Sequence, residues 1–404
     1  MPRVRVLSYW RAEQRTIRQG LVAMLFASVA MLGAGVALGF ITGTLEALPG
    51  LMVMVPAAIA ARGNVFGALA SRLGTTIHAG LFTTSRERGG VLYQNVFAAT
   101  ALTLSISLLM AVLAKTLSET FGITSISIVD FMLISILGGV LASVVVLGLT
   151  VVLAVTAQRR GWDLDSVAAP LITAAGDVLT IPAIFAATFA VGFRWVSPVL
   201  AGILALVTLV LAIRAAVTDL SSTRRIVRES LPVLTIAATI DILAGLMIES
   251  RLDHFVTFPV LLILIPPILG DAGGLGGILA SRLASKLHLG VITPRGFPEP
   301  AALFDFSIVG LFAVVVFPLV GVAADFVAGL FGIASPGMGT VVAVSTLAGL
   351  LATAAASLVA YYAAIATFRL GMDPDSHGIP LITSSMDFAG VVALIIAILA
   401  FGIG

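Results

Sequence analysis

The chain has no cysteine, four histidines and little charge. Without thiols there can be no disulfide and no thiolate metal centre. With few imidazoles as well, soft transition metals lack their usual ligands. Charged residues make up only 10% of the 404 positions, against roughly 25% in a soluble domain. The formal net charge of +2 gives no basic field for nucleic acid. There is no HExxH pattern, no Ser/His pair in a repeated context and no Gly-rich nucleotide loop, so a membrane-embedded enzyme is the least supported reading. No cleavable signal peptide is evident. The first apolar run, 21–42, is too long for a signal core and lacks a convincing cleavage site, so it reads as a retained helix.

What the chain does have is apolar length: 59% of its residues are hydrophobic. The stretch 131–155 contains no charge at all and exceeds the ~20 residues that cross a bilayer. Runs this long and continuous do not suit the short alternating strands of a membrane barrel. The expectation is an all-α polytopic membrane protein. Eleven spans are predicted near 20–42, 49–80, 92–114, 127–157, 167–191, 197–217, 230–249, 258–289, 302–324, 338–368 and 379–402. Two of them, 49–80 and 258–289, are too long for a straight crossing at about 1.5 Å per residue. Each should tilt, break near its glycines or project from the membrane.

The chain also repeats itself. Pro56 to Leu73 and Pro266 to Leu283 are two versions of one segment. The same shift carries Arg18 to Arg228, His78 to His288, Asp163 to Asp373, Pro170 to Pro380 and Asp177 to Asp387. One offset fits all of these, which marks a tandem duplication. The first repeat covers 1–194 and the second 228–404, each with five spans. Residues 195–227 have no counterpart and hold one additional transmembrane helix. Five spans alone would invert the second copy and the sixth restores it, so the repeats should be parallel, related by a pseudo-two-fold along the membrane normal. With the N-terminus in the cytoplasm, fourteen basic residues fall inside and three outside. The positive-inside rule then gives a multi-pass protein of the cell membrane with its C-terminus outside.

Asp177 and Asp387 are the leading site candidates. Each lies in an apolar helix seven residues after a proline, in Pro-Leu-Ile-Thr-Ala-Ala-Gly-Asp and Pro-Leu-Ile-Thr-Ser-Ser-Met-Asp. An acid inside a membrane costs about 2.5–3.5 kcal/mol even on insertion scales, and marks function by default. A structural acid bonded to a neighbouring helix is the alternative. Thr173 and Thr383 stand one turn earlier on the same face. Paired hard oxygens around a two-fold axis suit Mg²⁺, which favours carboxylates and keeps several waters. Asn64, Ser71 and His78 share a helix face. The second copy reads Gly274, Ser281 and His288, with Asp271 nearby where the first has Ala61. Arg72 and Arg282 are expected to snorkel to headgroups. Asn95 and Asp305 form a third matched pair, at the inner mouth of a pore or as helix caps. Asp163 and Asp373, each followed by an Asp and a Ser, are expected to cap the fifth helices.

These motifs resemble the membrane domain of the MgtE family and its eukaryotic solute-carrier relatives, which transport magnesium. The resemblance rests on the Ala-Ser-Arg-Leu ends at 70–73 and 280–283. It rests equally on the Asp-x6-Pro-Leu-Ile-Thr-x3-Asp pattern at 163–177 and 373–387. It covers nearly the whole chain. It implies that Asp177 and Asp387 bind the permeating ion. It also implies a Gly-Gly-Asn in each second helix, which here is Arg62-Gly63-Asn64 and Ala272-Gly273-Gly274. The expected function is a divalent-cation channel or transporter, Mg²⁺ foremost, with its ion site on the axis between repeats. The candidate ligands are Asp177, Asp387, Thr173, Thr383, Asn64, Asp271, Asn95 and Asp305. A proton- or sodium-coupled carrier of another solute is the alternative. The partners are the ion and the lipid bilayer, and one chain should suffice for the pore.

Overall fold

The computed structural model describes residues 8–82, 85, 87–160, 164–370 and 379–403, with the backbone alone at 160, 164–170, 370 and 379. Among the described residues there are eleven helices long and apolar enough to cross a membrane. In lipid no water meets a free backbone group, so each apolar run closes its own hydrogen bonds as a helix. In chain order they are α1 (Gln14–Phe40), the short α2 (Thr42–Ala47), α3 (Leu51–His78), α4 (Val91–Thr120), α5 (Ile128–Arg160), α6 (Leu164–Thr188) and α7 (Val196–Val217). There follow α8 (Ser221–Glu249), the short α9 (Leu252–Thr257), α10 (Val260–His288), α11 (Pro300–Phe331), α12 (Met338–Leu370) and α13 (Ile379–Ala400).

All eleven expected spans are present, with differences at their ends. The eighth helix begins at Ser221, nine residues before the apolar run, because a polar turn carrying Arg224, Arg225 and Arg228 extends it. α3 and α10 are unbroken, although they hold Pro56 and Pro266–Pro267 and their glycine clusters. Of the three expected alternatives, a break at the glycines is therefore excluded. Those glycines admit neighbouring helices instead of ending their own. The duplication reaches backbone detail: Gly122 and Gly332, one repeat apart, both close a helix in the left-handed conformation, φ 68° and 67°, which glycine adopts at least cost.

The compact units do not follow the repeat boundaries at 194 and 228. One unit comprises residues 41–250, the other residues 1–40 with 251–404. The first helix of each repeat has been exchanged. In the second-repeat unit, α1 packs on α10 and α11, while α10 also packs on α12 and α13. In the first-repeat unit, α8 packs on α3 and α4, α3 packs on α6, and α7 lies against α4 and α5. The same contact fixes the exchanged helix in each unit: Gly35 lies against the Ile263 backbone, and Gly245 against the Val53 backbone. These pairs are images under the repeat shift. A side chain at either glycine would occupy the space of a carbonyl oxygen, so a bare backbone is needed for this approach. α3 and α10 are the most buried spans and form the centre of their units.

Candidate functional site

Each central helix meets the fifth helix of its repeat through glycine. In the first-repeat unit a Cβ on Gly63 would stand 3.2 Å from Thr173 Cγ2 and 3.8 Å from Asp177 Oδ1, and one on Gly67 would stand 3.2 Å from Thr173 Oγ1. In the other unit a Cβ on Gly273 would stand 3.7 Å from Thr383 Cγ2. Thr173 and Asp177 therefore lie on the glycine face of α3, and Thr383 lies on the matching face of α10. Asp177 is 7% exposed and Asp387 is half-buried. The Thr383 hydroxyl donates to the Pro380 carbonyl at 3.0 Å. In the first-repeat unit a hydroxyl, a carboxylate and thin glycine walls come together, the donor chemistry of a hard cation.

The other candidates fall elsewhere. Asn64 is half-exposed on the open face of α3, with Ser71 and His78, and Gly274, Ser281 and His288 form the same exposed row on α10. The shared face read from the sequence is thus present. Asp271 is fully enclosed between α10 and α1, where the Ser28 hydroxyl donates to its Oδ2 at 2.7 Å. Asp163 and Asp373, expected as caps, lie outside the described residues. Among the described residues no group of three or more Asp, Glu, His or Cys could hold a metal ion.

Asn95 and Asp305 are not helix caps: Gly90 and Glu299 hold those positions. Nor do their arginine neighbours snorkel. Arg72 Nε donates to Asn95 Oδ1 at 3.1 Å, and Arg282 Nε donates to Asp305 Oδ1 at 2.9 Å. A buried carbonyl or carboxylate one helix away holds each guanidinium, so the arginines turn inward. In the second-repeat unit the pair grows into a cluster. Lys286 Nζ is 2.6 Å from Asp305 Oδ2, and the Tyr9 hydroxyl donates to Asp305 Oδ1 at 2.8 Å. Glu13 takes Arg282 Nη2 at 3.2 Å. Trp10 donates to Ser307 at 3.0 Å, and Tyr9 stacks on Phe304. Burial, then the bond to Asp305, raises the Tyr9 pKa above its ordinary 10.0, so its hydroxyl stays a donor. Asp305 is thus held by two cations and a phenol. The sequence reading missed Tyr9, Glu13 and Lys286. One signal was available: Lys286 and Glu13 replace Thr76 and Thr223 at the matching positions, in step with Asp305 for Asn95.

With eleven apolar spans among the described residues and one duplicated architecture, the molecule is a polytopic membrane protein. A family model described as a divalent cation transporter, MgtE, matches residues 55–187 and again 265–397. The chain belongs to the MgtE family, whose members are transporters and not enzymes. The two matches are separated by the repeat shift. Among curated proteins, the chain is 24% identical to mouse solute carrier family 41 member 3 over 93% of its own length and 80% of the relative's. It is 25% identical to mouse solute carrier family 41 member 2, over 93% and 69%. The frog (Xenopus laevis) member 2 is 25% identical over 94% and 71%. No solved structure matches.

Proposed function

We propose that this chain carries Mg²⁺ across the membrane, with Asp177 and Asp387 as the acids that meet the ion and Thr173 and Thr383 holding its waters. The observation that supports this most is the repeated threonine contact: the glycine face of the central helix meets Thr173 with Asp177 in one unit and Thr383, one turn before Asp387, in the other. Mg²⁺ dehydrates reluctantly, so carboxylates that hold it through its waters are physically easier than a tight cage. Asp305 belongs in this reading with the Arg282 cluster and not with the ion. Asn64 lines the open face of α3 as a secondary contact.

The test is Mg²⁺ flux into liposomes holding the parent, Asp177→Asn, Asp387→Asn or the double variant at matched folding. Each single variant should be impaired, the two not necessarily equally. Parental flux in the double variant would make the acids structural. Repeating the assay with imposed pH or Na⁺ gradients separates a channel, which ignores them, from a coupled carrier of another solute. One chain suffices in this reading, so mixing parent with inactive chains should lower flux only in proportion to the inactive fraction. The N-terminus is assigned to the cytoplasm. The chain has no cysteine, so single Arg88→Cys and Gly122→Cys variants report sidedness directly. Position 88 should react with an impermeant thiol reagent only from inside and position 122 only from outside.

A further inference from the structure

Arg62 is a cation deep in a membrane unit with no carboxylate partner among the described residues. It is 2% exposed. Nη1 donates to the Ala58 carbonyl at 3.1 Å, and Nη2 donates to Ser107 Oγ at 3.3 Å. Nε has no hydrogen-bond partner among the described residues. Guanidinium does not lose its proton in proteins, so the charge is permanent. The geometry roots this side chain beside the proposed ion acid, with its guanidinium reaching toward α4 and α5: a Cβ on Gly176, the residue before Asp177, would stand 3.3 Å from Arg62 Cβ, and Gly63, the residue after Arg62, faces Asp177.

The other repeat shows that this space does not need a charge. The matching position on α10 is Ala272, and Ser107 is matched by Phe317. In the first-repeat unit a Cβ on Gly139 would meet Arg62 Nη2 and Ser107 Oγ, each at 2.5 Å. At the image position, Gly349, it would meet the Phe317 ring. The supporting bond is the same in both units: Ser135 donates to the Ser107 carbonyl and Ser345 to the Phe317 carbonyl, each at 2.7 Å. One repeat fills the notch with a phenyl ring, the other with a guanidinium. Burying an unpaired charge where an apolar side chain fits gains no stability. The charge calls for another role.

We infer that Arg62 is a resident counter-charge that weakens divalent-cation binding at Asp177, so that Asp177 releases its ion more readily than Asp387 does. This rests on the proposed Mg²⁺ reading. Arg62 touches no ion itself and acts through the field at Asp177. For a fixed unit charge about 10 Å from a divalent ion, at an effective dielectric of about 20, the effect on affinity is on the order of a hundredfold.

The decisive variant transplants the second repeat's filling: Arg62→Ala with Ser107→Phe. It removes the charge and keeps the notch packed. Mg²⁺ binding is measured by calorimetry in nanodiscs, alongside hexaamminecobalt(III), which resembles hydrated Mg²⁺ in size but carries a third charge. The swapped chain should bind Mg²⁺ at least tenfold more tightly, and the cobalt complex should gain still more, because the effect scales with ligand charge. Turnover should fall at saturating Mg²⁺ while the half-saturating concentration drops. Arg62→Lys should behave as the parent, and Asp177→Asn in the swapped background should remove most of the gain. Ser107→Asp, which neutralises Arg62 in place, should reproduce the tightening even where the swapped chain folds poorly. Parental Mg²⁺ affinity in both charge-neutralised variants, with Asp177→Asn still weakening the parent, overturns this inference alone. A parent that neither binds nor transports Mg²⁺ overturns the functional reading and this inference with it.

Discussion

Replacing Asp305 by Asn is the sharpest test of how α1 is held. Asp305 is fully buried and takes Arg282 at 2.9 Å, Lys286 at 2.6 Å and the Tyr9 hydroxyl at 2.8 Å. Removing one partner of a buried ion pair costs about 3–5 kcal/mol. Arg282 and Lys286 side chains are each 20% exposed, so water recovers part of the loss, and about 2–3 kcal/mol is expected. The amide keeps an acceptor for Arg282, as Asn95 does for Arg72. Asp305→Ala should therefore cost about 1 kcal/mol more than Asp305→Asn. For a unit of this size that is a melting shift of several degrees, at about 2–4 °C per kcal/mol. Trp10 is bonded to Ser307 beside the cluster and serves as the local probe once Trp162 and Trp195 are changed to Phe. Its emission should move to longer wavelength in Asp305→Asn at temperatures where the parent stays docked. A melting point within a degree of the parent, with unchanged Trp10 emission, would refute the claim that this cluster secures the N-terminal helix.

Gly35→Ala and Gly245→Ala should destabilise to similar extents, about 2 kcal/mol or more, because each methyl runs into a carbonyl of the partner helix; thermal melting of the two variants checks both size and equality. Glu249 accepts the Gly50 and Met52 amides at 2.7 and 3.2 Å, so Glu249→Ala should cost about 1–2 kcal/mol and speed hydrogen exchange at the first turn of α3. The Tyr9 pKa lies above its unfolded value of 10.0, so the folded state binds the extra proton and its contribution is whole below pH 10. It is lost as pH rises through the folded pKa. Trp10 emission should report undocking in that alkaline range, and Tyr9→Phe should abolish this pH step.

The sequence made some of this plain and hid the rest for physical reasons. Span number and the duplication follow from apolar length and a single offset, because lipid permits only one backbone solution for such runs. The aspartate turn was visible for the same reason: an acid has no cheap place in hydrocarbon. The exchange of α1 and α8 was not visible. Gly35 and Gly245 are small residues in small-residue helices, and nothing in their spacing says which partner they approach. The direction of Arg72 and Arg282 was misjudged as outward. A long side chain near a helix end can reach headgroups or a neighbour equally well, and only the placement of Asn95 and Asp305 one helix away decides it. His78 and His288 stand on an exposed helix face.

A duplicated chain contains its own control, because each position is seen twice in one fold. Where the copies agree, as at Gly35 and Gly245 or Thr173 and Thr383, the geometry is required by the architecture. Where they disagree in concert, something has been added to one copy. Ala272 with Phe317 against Arg62 with Ser107 is such a pair: the filled space is matched and the charge is new. Asp305 with Lys286 and Glu13 against Asn95 with Thr76 and Thr223 is another. There the first-repeat unit has Arg72 on Asn95 and the Thr223 hydroxyl on the Gln94 carbonyl at 3.1 Å. Arg72 Nη2 there has no hydrogen-bond partner among the described residues. The two departures differ in consequence. The Asp305 cluster compensates its own charges, so it serves docking and should be read out in stability. Arg62 has no carboxylate hydrogen-bonded to it among the described residues, so it serves electrostatics and should be read out in ion affinity. A variant that altered both readouts equally at either position would show that the two copies had drifted apart without any division of labour.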